Sequence, residues 1–437
     1  MGENRLYCED HRIEAYCAGC DTYMERNTED EPFVEAVGGG IYCDECTLLV
    51  CQNCHRYYRR GLTWNSDLEL NVCRRCLFVG ADGTSGESFD EDADMTNKAM
   101  QIPTIPGREN VRQCGIEIEG ANGTSNGDEL ALALYGAGLS AIDEMAGYHH
   151  GNGSGFAHVE RDASVDWEVV IGPLNPAHQR QVRNLNSVVR IIREHIKDGR
   201  LGLDLRAGCH IHVEAARTSL TGAFNLNTLF AYLEDVIFRL AAARWPVHRA
   251  IMDTHYTAPI PKDLRKLQFA RRHNNDEDAR YYALSFQNYF NRVLSNCHCG
   301  AVRYDSWEEC ECDLGKCTFE FRVFNTTANP RKLHAYMALA QALVAKAMSL
   351  GDLDNASDTF PALEFRTRRF KDMPETEQEE IVGLWRDRLA WMFNELPLTD
   401  AEKESISYCI RHSELEQVGA EFIESLLPEQ QVEEAIA

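Results

Sequence analysis

Eight ionisable side chains alternate with apolar ones in four short segments, CGIEIEG, DWEVVI, GCHIHVE and TFEFRVF. They are Glu117, Glu119, Glu168, His210, His212, Glu214, Glu320 and Arg322. Successive side chains on a strand point to opposite faces, so each segment predicts a strand with one apolar and one ionisable face. A merely solvated face is the plain alternative, but such faces usually carry Thr, Lys, Ser and Gln. Carboxylates on neighbouring strands repel one another unless cations lie between them, and these oxygen ligands suit Mg²⁺ or Mn²⁺.

The elements that would position these side chains belong to a mixed domain that begins near Val111. Short alternating segments are separated there by long amphipathic ones, which predicts an α+β fold. Helices are predicted at about 176–197, 224–244, 332–350, 376–395 and 400–415. In the second helix a single apolar stripe is expected from Leu226, Leu229, Phe230, Leu233, Val236, Ile237 and Leu240. Thr399 followed by Glu402 predicts a capping box at the start of the last helix.

The motifs also carry a resemblance to a known family. The order GIEIE, RDASVDWEVVIGPL, GCHIHVE, RYYALSF and TFEFRVFNTTANP resembles the amidoligases of the glutamine synthetase-like carboxylate-amine ligases, which include the γ-glutamylcysteine ligases. It covers roughly residues 111–350. The resemblance implies a curved antiparallel sheet with helices on its convex face and an active site in the concave face. It further implies an ATP- and magnesium-dependent ligase of bacterial or bacteriophage type, joining a carboxylate to an amine through an acyl phosphate.

The resemblance implies a role for each matching residue. The expected magnesium ligands are Glu117, Glu119, Glu168 and Glu320. Arg322 would contact the transferring phosphoryl group and His210 would lie near metal or nucleotide, so both are expected to bind ATP, while His212 would face the substrate. Asp162 matches the acid that accompanies Glu168 in its motif, and Arg280 is a further candidate for substrate binding. The amine and carboxylate substrates are expected to belong to a protein, a peptide or the cell wall.

Two other functions remain open at this stage. Guanidine-phosphorylating kinases share this type of fold, and such an enzyme would stop after phosphoryl transfer. A zinc-built adaptor with a degenerate catalytic domain would have no activity. The intact acidic positions favour an enzyme, because an inactive relic has no reason to keep so many like charges together.

Cysteine pairs dominate the first part of the chain. Four Cys-x-x-Cys pairs are Cys17/Cys20, Cys43/Cys46, Cys51/Cys54 and Cys73/Cys76, and a fifth pair is Cys8 with His11. Such turns present two thiolates to one ion, so tandem zinc ribbons or treble clefs are predicted, each closed by a hairpin such as RYYRRGLTW. A cross-braced arrangement, a third ion with His55, and a small core of reduced thiols are the alternatives.

A second cysteine group lies between two predicted strands and interrupts the last hairpin of the family pattern. Cys297, Cys299, Cys310 and Cys312 could hold another zinc ion, with His298 or Cys317 competing for the fourth position. Free thiols in a loop are the alternative. Cys114, Cys209 and Cys409 have no partner at metal-binding spacing and are expected to be small buried side chains.

The whole chain of 437 residues is long enough for two or three domains. We expect a zinc-binding module at 1–80, an acidic linker at 81–108, a catalytic domain at 109–397 with a cysteine-rich insert at 297–317, and a C-terminal helical segment at 398–437. The formal net charge of −25 argues against general nucleic-acid binding. The chain has no apolar run of membrane-spanning length and its first residues, MGENRLYCED, do not resemble a signal peptide, so a cytoplasmic protein is expected.

Overall fold

A computed structural model gives the fold, and the residues that it describes in full are 102–103, 111–147, 155–161, 165–203, 207–216, 218–241, 260, 269, 282–291, 317–351, 360–362, 370 and 373–428. The backbone alone is described for 292–296 and for short strands between residues 7 and 72. The chain divides into two compact units, Met1–Glu91 and Asp92–Ala437.

The first unit contains short antiparallel strands. Tyr7–Glu9, Arg12–Tyr16 and Tyr23–Arg26 form a three-stranded sheet. Three two-stranded sheets pair Val34–Glu35 with Ile41–Tyr42, Leu49–Val50 with Tyr57–Tyr58, and Thr63–Asn65 with Leu70–Val72. The predicted hairpin RYYRRGLTW is therefore wrong, because its two ends pair with different strands.

The predicted zinc ligands of this unit stay predictions. Cys17, Cys20, Cys43, Cys46, Cys51, Cys54, Cys73, Cys76 and His11 lie outside the described residues, and for Cys8 only the backbone of its strand is described. The short strands flank several of the cysteine pairs along the chain, but their backbone does not test whether zinc is bound.

Seven strands of the second unit form one open sheet in which neighbouring strands are antiparallel. They are β1 (Cys114–Asn122), β2 (Ala157–Glu160), β3 (Trp167–Leu174), β4 (Leu201–Gly202), β5 (Gly208–Glu214), β6 (Leu284–Ser285) and β7 (Thr318–Asn325). The order across the sheet is β2-β3-β1-β5-β7-β6, and β4 pairs with the end of β1. All four predicted strands are present as β1, β3, β5 and β7, and the α+β class with an antiparallel sheet is confirmed.

The α-helices described in the second unit are α1 (Gly127–Gly136), α2 (Gln179–Lys197), α3 (Leu220–Ala241), α4 (Gln287–Asn296), α5 (Pro330–Ser349), α6 (Glu375–Glu395), α7 (Asp400–Arg411) and α8 (Ala420–Ser425). The five predicted helices correspond to α2, α3, α5, α6 and α7. The capping box of Thr399 and Glu402 is confirmed at the start of α7. The predicted end of that helix is too late, because Ser413 caps a separate 3-10 helix at Glu414–Val418. Within the described residues, no helix is long and apolar enough to cross a membrane.

The apolar face of the sheet packs against α3 and α5 to form the core. Phe321 on β7 lies with its ring centroid 6.2 Å from that of Phe230 on α3, and Phe324 stacks on Tyr336 of α5 at 4.3 Å. Burial of side chains of this size contributes about 1.5–3 kcal/mol each. Cys114, Cys209 and Cys409 are buried in this core, as predicted.

Helix α3 differs from the predicted single-stripe helix. The seven apolar residues of its expected stripe are buried, but so are polar residues on its other sides, because α5, α6 and the 3-10 helix also contact it. Asp235 accepts hydrogen bonds from Arg239 Nε at 3.0 Å and from Trp385 Nε1 at 2.6 Å, and Arg239 also pairs with Glu414. A hydrogen-bonded ion-pair network therefore occupies the place where sequence periodicity predicts a solvated face.

Candidate functional site

The predicted ionisable side chains lie together on the face of the sheet opposite to the core. We call Glu117, Glu119, Glu168, His210, His212, Glu320 and Arg322 the polar-face cluster. Strand register places its members side by side, because Glu117 pairs with His210, Glu119 with Glu168, and His212 with Glu320. Side chains directly opposite on antiparallel strands are separated by about 5 Å at Cβ, which is within reach of a shared ligand.

A β-bulge adds Arg322 to the polar-face cluster. Cys209 pairs with Phe324 and Ile211 with Phe321, so His210 alone opposes two residues of β7. The extra residue changes the local twist of β7 and redirects its side chains, as bulges near functional sites commonly do. Arg322 forms an ion pair with Glu320. Because Arg322 also lies two residues after Glu320, its guanidinium is on the same face of β7 as that carboxylate.

Glu117 is the centre of the polar-face cluster. Its Oε2 lies 3.0 Å from His210 Nδ1, and its Oε1 lies 3.1 Å from His212 Nε2. His210 is also 3.4 Å from Glu119 through Nε2 and 3.8 Å from Glu320 through Nδ1. The histidine side chain of residue 210 is only 3% exposed, whereas that of Glu117 is 24% exposed. Glu117 is thus the member that connects the buried histidine with solvent and with a ligand.

Each charge in the cluster is stabilised by its neighbours. Burial would raise the pKa of Glu117, but the charge of His212 and hydrogen bonds with both histidines outweigh burial and hold it well below the ordinary value. Burial would lower the pKa of His212, but the charge and hydrogen bond of Glu117, with the charge of Glu320, raise it to about 9. Burial likewise opposes ionisation of Glu320, yet Arg322 and the histidines lower its pKa. Without a bound cation, His212 therefore carries a proton that a metal ion would have to displace.

Glu119 is oriented by the backbone around it. Its Oε2 accepts a hydrogen bond from the backbone N–H of Gly208, while the hydroxyl of Thr326 donates to its backbone carbonyl. The carboxylate is therefore fixed on one side and offers its other oxygen toward His210. Neither of the two candidate metal groups described next includes Glu119, so its expected role as a magnesium ligand stays a prediction.

Two groups within the cluster have the geometry to hold metal ions. Glu117, His212 and Glu320 form one group, and Glu117, Glu168 and His210 form the other; within each, the donor atoms lie within 4.8 Å of one another. Each group offers two carboxylates and one imidazole. Carboxylates suit Mg²⁺ and Mn²⁺, whereas imidazole is more typical of softer divalent ions, so the residues fit a divalent cation and fit Mn²⁺ at least as well as Mg²⁺.

Two residues of β2 extend the polar face and were not among the predicted site residues. Glu160 pairs with Glu168, which in turn pairs with Glu119, so three carboxylates lie in one row across three strands. His158 Nε2 lies 2.7 Å from Glu160 Oε1. The segment AHVE has the same His-x-Glu alternation as GCHIHVE, and this was the sequence signal that could have identified it.

Several predicted site residues lie outside the described residues. They are Asp162, Arg280, Cys297, Cys299, Cys310 and Cys312. Their expected roles in catalysis, substrate binding and zinc binding stay predictions. Cys317, a competing ligand in the same prediction, is a buried cysteine next to the start of β7.

A pocket of about 480 Å³ adjoins the polar-face cluster. Its lining includes Glu117 and His212 of the cluster, Gly115 of β1, Glu214 of β5, and Thr318 of β7. Thr318 Oγ1 lies 3.4 Å from His212 Nδ1 and accepts a hydrogen bond from Asn288 Nδ2 at 3.3 Å. The volume is in the range of small-molecule binding sites, so the cluster has an adjacent space for a substrate.

Comparison with known proteins finds a family similarity in the second unit. A family model described as "Putative amidoligase enzyme" matches residues 150–344, slightly less than half of the chain. The matched stretch contains Glu168, His210, His212, Glu320 and Arg322, whereas β1 with Glu117 and Glu119 precedes it. No curated protein matched the chain. Over residues 150–344 the chain therefore matches the amidoligase family model, in agreement with the resemblance predicted from the order of its motifs.

Proposed function

We propose that the second unit is an ATP-dependent carboxylate-amine ligase with a glutamine synthetase-like fold that uses Mg²⁺ or Mn²⁺. The match to the amidoligase family model suggests a ligase. The observation that carries the finer proposal is the pair of metal-binding groups that share Glu117 on the polar face of the sheet. These two groups lie beside the guanidinium of Arg322 and next to a pocket. Such an arrangement suits the transfer of a phosphoryl group, in which most of the catalysis is positioning and charge neutralisation.

The reaction joins two substrates that do not condense in water. The carboxylate oxygen attacks the γ-phosphorus of ATP, a P–O bond to ADP breaks, and an acyl phosphate forms. The amine nitrogen then attacks the acyl carbon, the C–N bond forms, the C–O bond to phosphate breaks, and one proton is lost from the nitrogen. The products are an amide, ADP and phosphate, so phosphate release must depend on both the acid and the amine.

The chain's own residues would have separate tasks in this reaction. Glu117, Glu168 and His210 would hold one ion, and Glu117, His212 and Glu320 the other. Bound divalent ions would supply neutralisation of the triphosphate charge. Arg322, held by Glu320, would donate hydrogen bonds to the phosphoryl oxygens, because a guanidinium matches the geometry of phosphate. His210 is the cluster member that would lie nearest to nucleotide or metal, and His212 would face the pocket and its substrate.

The first unit would serve a different purpose. Its Cys-x-x-Cys pairs suit structural zinc sites, in which four protein ligands leave no open position. A ligase for small metabolites has no evident use for such a module on an acidic tether. The proposal therefore assigns the first unit to recruitment of a macromolecular substrate, which is a protein, a peptide or cell-wall material, in the cytoplasm.

The test is phosphate release by the purified chain with ATP, Mg²⁺ or Mn²⁺, and a panel of acids and amines. The expected result is release that requires one acid and one amine together, and that Arg322→Ala abolishes. Arg322→Lys is the matched control for charge, and it should recover little activity because lysine does not reproduce the planar fork. A stable phosphoguanidine product would instead identify a kinase. Failure of the chain to bind ATP with either metal would favour the alternative of a non-catalytic adaptor.

A further inference from the structure

The pocket beside the polar-face cluster is open because of one glycine. Gly115 lies on the same face of β1 as Glu117, and a Cβ added there would meet only His212 Cβ at 3.6 Å and the Ile171 carbonyl at 3.7 Å. Both are ordinary van der Waals distances. A side chain at residue 115 would therefore be compatible with its neighbours and would extend into the pocket, so the missing side chain leaves space for a ligand of small-molecule size.

The charge of the lining decides which kind of ligand fits. Glu117 and Glu214 line the pocket, and none of its described lining residues is Lys or Arg. His212 also lines the pocket, and its charge and that of Glu117 balance each other across 3.1 Å, so Glu214 gives the described lining its net negative charge. A carboxylate or phosphate would be repelled here, whereas a cation would be attracted. The acid substrate and the nucleotide phosphates therefore do not suit this pocket.

Glu214 is the carboxylate that the candidate metal groups do not use. Neither of the two groups includes it. Arg112 is a neighbouring cation whose charge interacts with that of Glu214, but the hydrogen bonds of its Nη1 go to the backbone carbonyls of Glu214 and Ala216, at 2.8 and 3.1 Å, and not to the Glu214 carboxylate. Among the residues that the structure describes, the Glu214 carboxylate forms no ion pair, and it accepts a hydrogen bond of 3.4 Å from the backbone of Gln113. Its charge is thus available to a ligand in the pocket.

The remaining walls suit an aliphatic chain. Val170, Pro173 and Ala216 contribute apolar surface, and Thr318 and Asn288 contribute neutral polar groups. We propose that this pocket binds the amine substrate as an alkylammonium ion, with Glu214 as its counter-ion and Gly115 as the residue that sets its size; the bound ion gives one proton to solvent before its nitrogen attacks, and a second is lost when the amide forms. The inference rests on the proposed ligase function, because it assigns the second substrate to the space next to the metal-binding residues Glu117 and His212.

Direct binding tests this assignment without any turnover. n-Butylammonium chloride is titrated calorimetrically into the full chain with Mg²⁺, and n-butanol and butyrate serve as neutral and anionic analogues of the same size. Saturable binding of n-butylammonium alone is expected. Glu214→Gln should weaken it roughly tenfold or more, since a charged hydrogen-bonding partner is lost. Its control, Glu404→Gln, changes an exposed carboxylate on α7 and should have no effect.

A second variant tests the size limit. Gly115→Val should abolish binding by filling the pocket. Gly202→Val is the matched control, because a Cβ there also meets its neighbours at 3.7 Å or more and Gly202 does not line the pocket. Unchanged binding in both Glu214→Gln and Gly115→Val, or preferential binding of butyrate, would overturn the inference.

Kinetics then separate this inference from the ligase proposal. In an active enzyme, Glu214→Gln should raise KM for the amine while kcat and KM for ATP stay near the wild-type values. An active ligase whose amine KM is insensitive to Glu214→Gln would contradict the amine pocket alone. A chain that binds n-butylammonium through Glu214 but never uses ATP would contradict the ligase proposal. The pocket would then still be a binding site for organic cations.

Discussion

Glu117 connects the two candidate metal groups, because its two carboxylate oxygens face the two histidines that complete them. Its side chain is also the most exposed of the carboxylate and histidine side chains that make the ion-pair contacts of the cluster. No other member of the cluster belongs to both candidate metal groups, so none could take over its role. Loss of its charge should therefore affect both ions, whereas loss of a ligand from one group should affect one.

This asymmetry gives a prediction at the residue scale. Mn²⁺ titration followed by electron paramagnetic resonance should show two bound ions in the wild type, one in Glu320→Gln and none in Glu117→Gln. The affinity loss in Glu117→Gln should exceed about a hundredfold, because removal of a supporting partner alone costs roughly ten- to a hundredfold. Glu129→Gln, at an exposed position of α1, is the control. Equal stoichiometry in the Glu117 and Glu320 variants would contradict a shared ligand.

The charge state of His212 gives a second prediction for protein kept free of metal with a chelator. Its pKa rises from 6.5 to about 9 in the folded chain, so its protonated form stabilises the fold fully below pH 6.5. That contribution is lost as the pH rises through 9. Glu117 has a lowered pKa, so its contribution to stability is present above the ordinary pKa of a glutamate. That contribution is lost only as the pH falls from there through the lowered pKa, which is outside this window.

The measurement is the urea midpoint of the chelated protein between pH 6.5 and 9.5. The midpoint should fall across this window in the wild type and should fall less in His212→Gln. His178→Gln is the control, because the residue lies at the start of α2, outside the cluster. A midpoint that rises with pH in this window would show that the His212–Glu117 pair does not stabilise the fold.

Local alternation was sufficient to predict which residues share the polar face. Whether a side chain points up or down on a strand depends only on its position in that strand, so Glu117, His210 and Glu320 could be found without knowing the fold. His158 and Glu160 were missed because a four-residue strand offers a single alternation, which is common by chance. The pocket at Gly115 was also missed, since it depends on which three strands surround a glycine.

At the scale of elements, the order of strands is the feature that sequence could not provide. β1 lies between β3 and β5, although β2 and β3 follow it in the chain and β5 comes much later. Such pairings are non-local, and their register is set here by bulges at Cys114–Ile116 and Cys209–Ile211. Helix periodicity, a local property, predicted α3 but not that its polar side is buried.

The ion-pair network behind α3 gives a prediction at this scale. Arg239 and Asp235 are fully buried, and Arg239→Met would leave Asp235 and Glu414 without their cation. Such an uncompensated charge typically costs about 3–5 kcal/mol, so the free energy of unfolding should fall by roughly that amount. Arg190→Met is the matched control, because the Arg190–Glu194 pair of α2 is 62% and 56% exposed and should contribute less than about 1 kcal/mol.

Guanidinium-induced unfolding measures both variants, and Mn²⁺ titration of Arg239→Met at low temperature checks the site. The network lies among the helices, on the core side of the sheet, so folded Arg239→Met should bind Mn²⁺ with wild-type affinity. A stability equal to that of Arg190→Met would mean that Asp235 and Glu414 find other partners. Loss of Mn²⁺ binding in the folded variant would mean that the helical layer positions the polar face.

At the scale of the whole molecule, the matched family region and the candidate site do not coincide. The match begins at residue 150, after β1 has already supplied Glu117 and Glu119. β1 is the central strand of the site, so a domain cut at the matched boundary would lose the ligand shared by both metal groups. The motif order read from the sequence begins with GIEIE and therefore includes β1. The first unit, in contrast, has no counterpart in the family resemblance.

The last prediction concerns the first unit and its cysteine pairs. If zinc only folds a recruiting module, Cys43→Ser with Cys46→Ser should lower the zinc content of the full chain while the reaction with small acids and amines keeps its rate. Ligation to a macromolecular substrate should fall, because capture rather than chemistry is lost. Cys409→Ser, at a buried cysteine of α7 with no neighbour at metal-binding spacing, should leave the zinc content unchanged. Elemental analysis measures the zinc content, and the two assays measure activity on small and on macromolecular substrates. An equal loss of activity on both kinds of substrate would place the first unit in catalysis. Unchanged zinc content would show that Cys43 and Cys46 do not bind zinc.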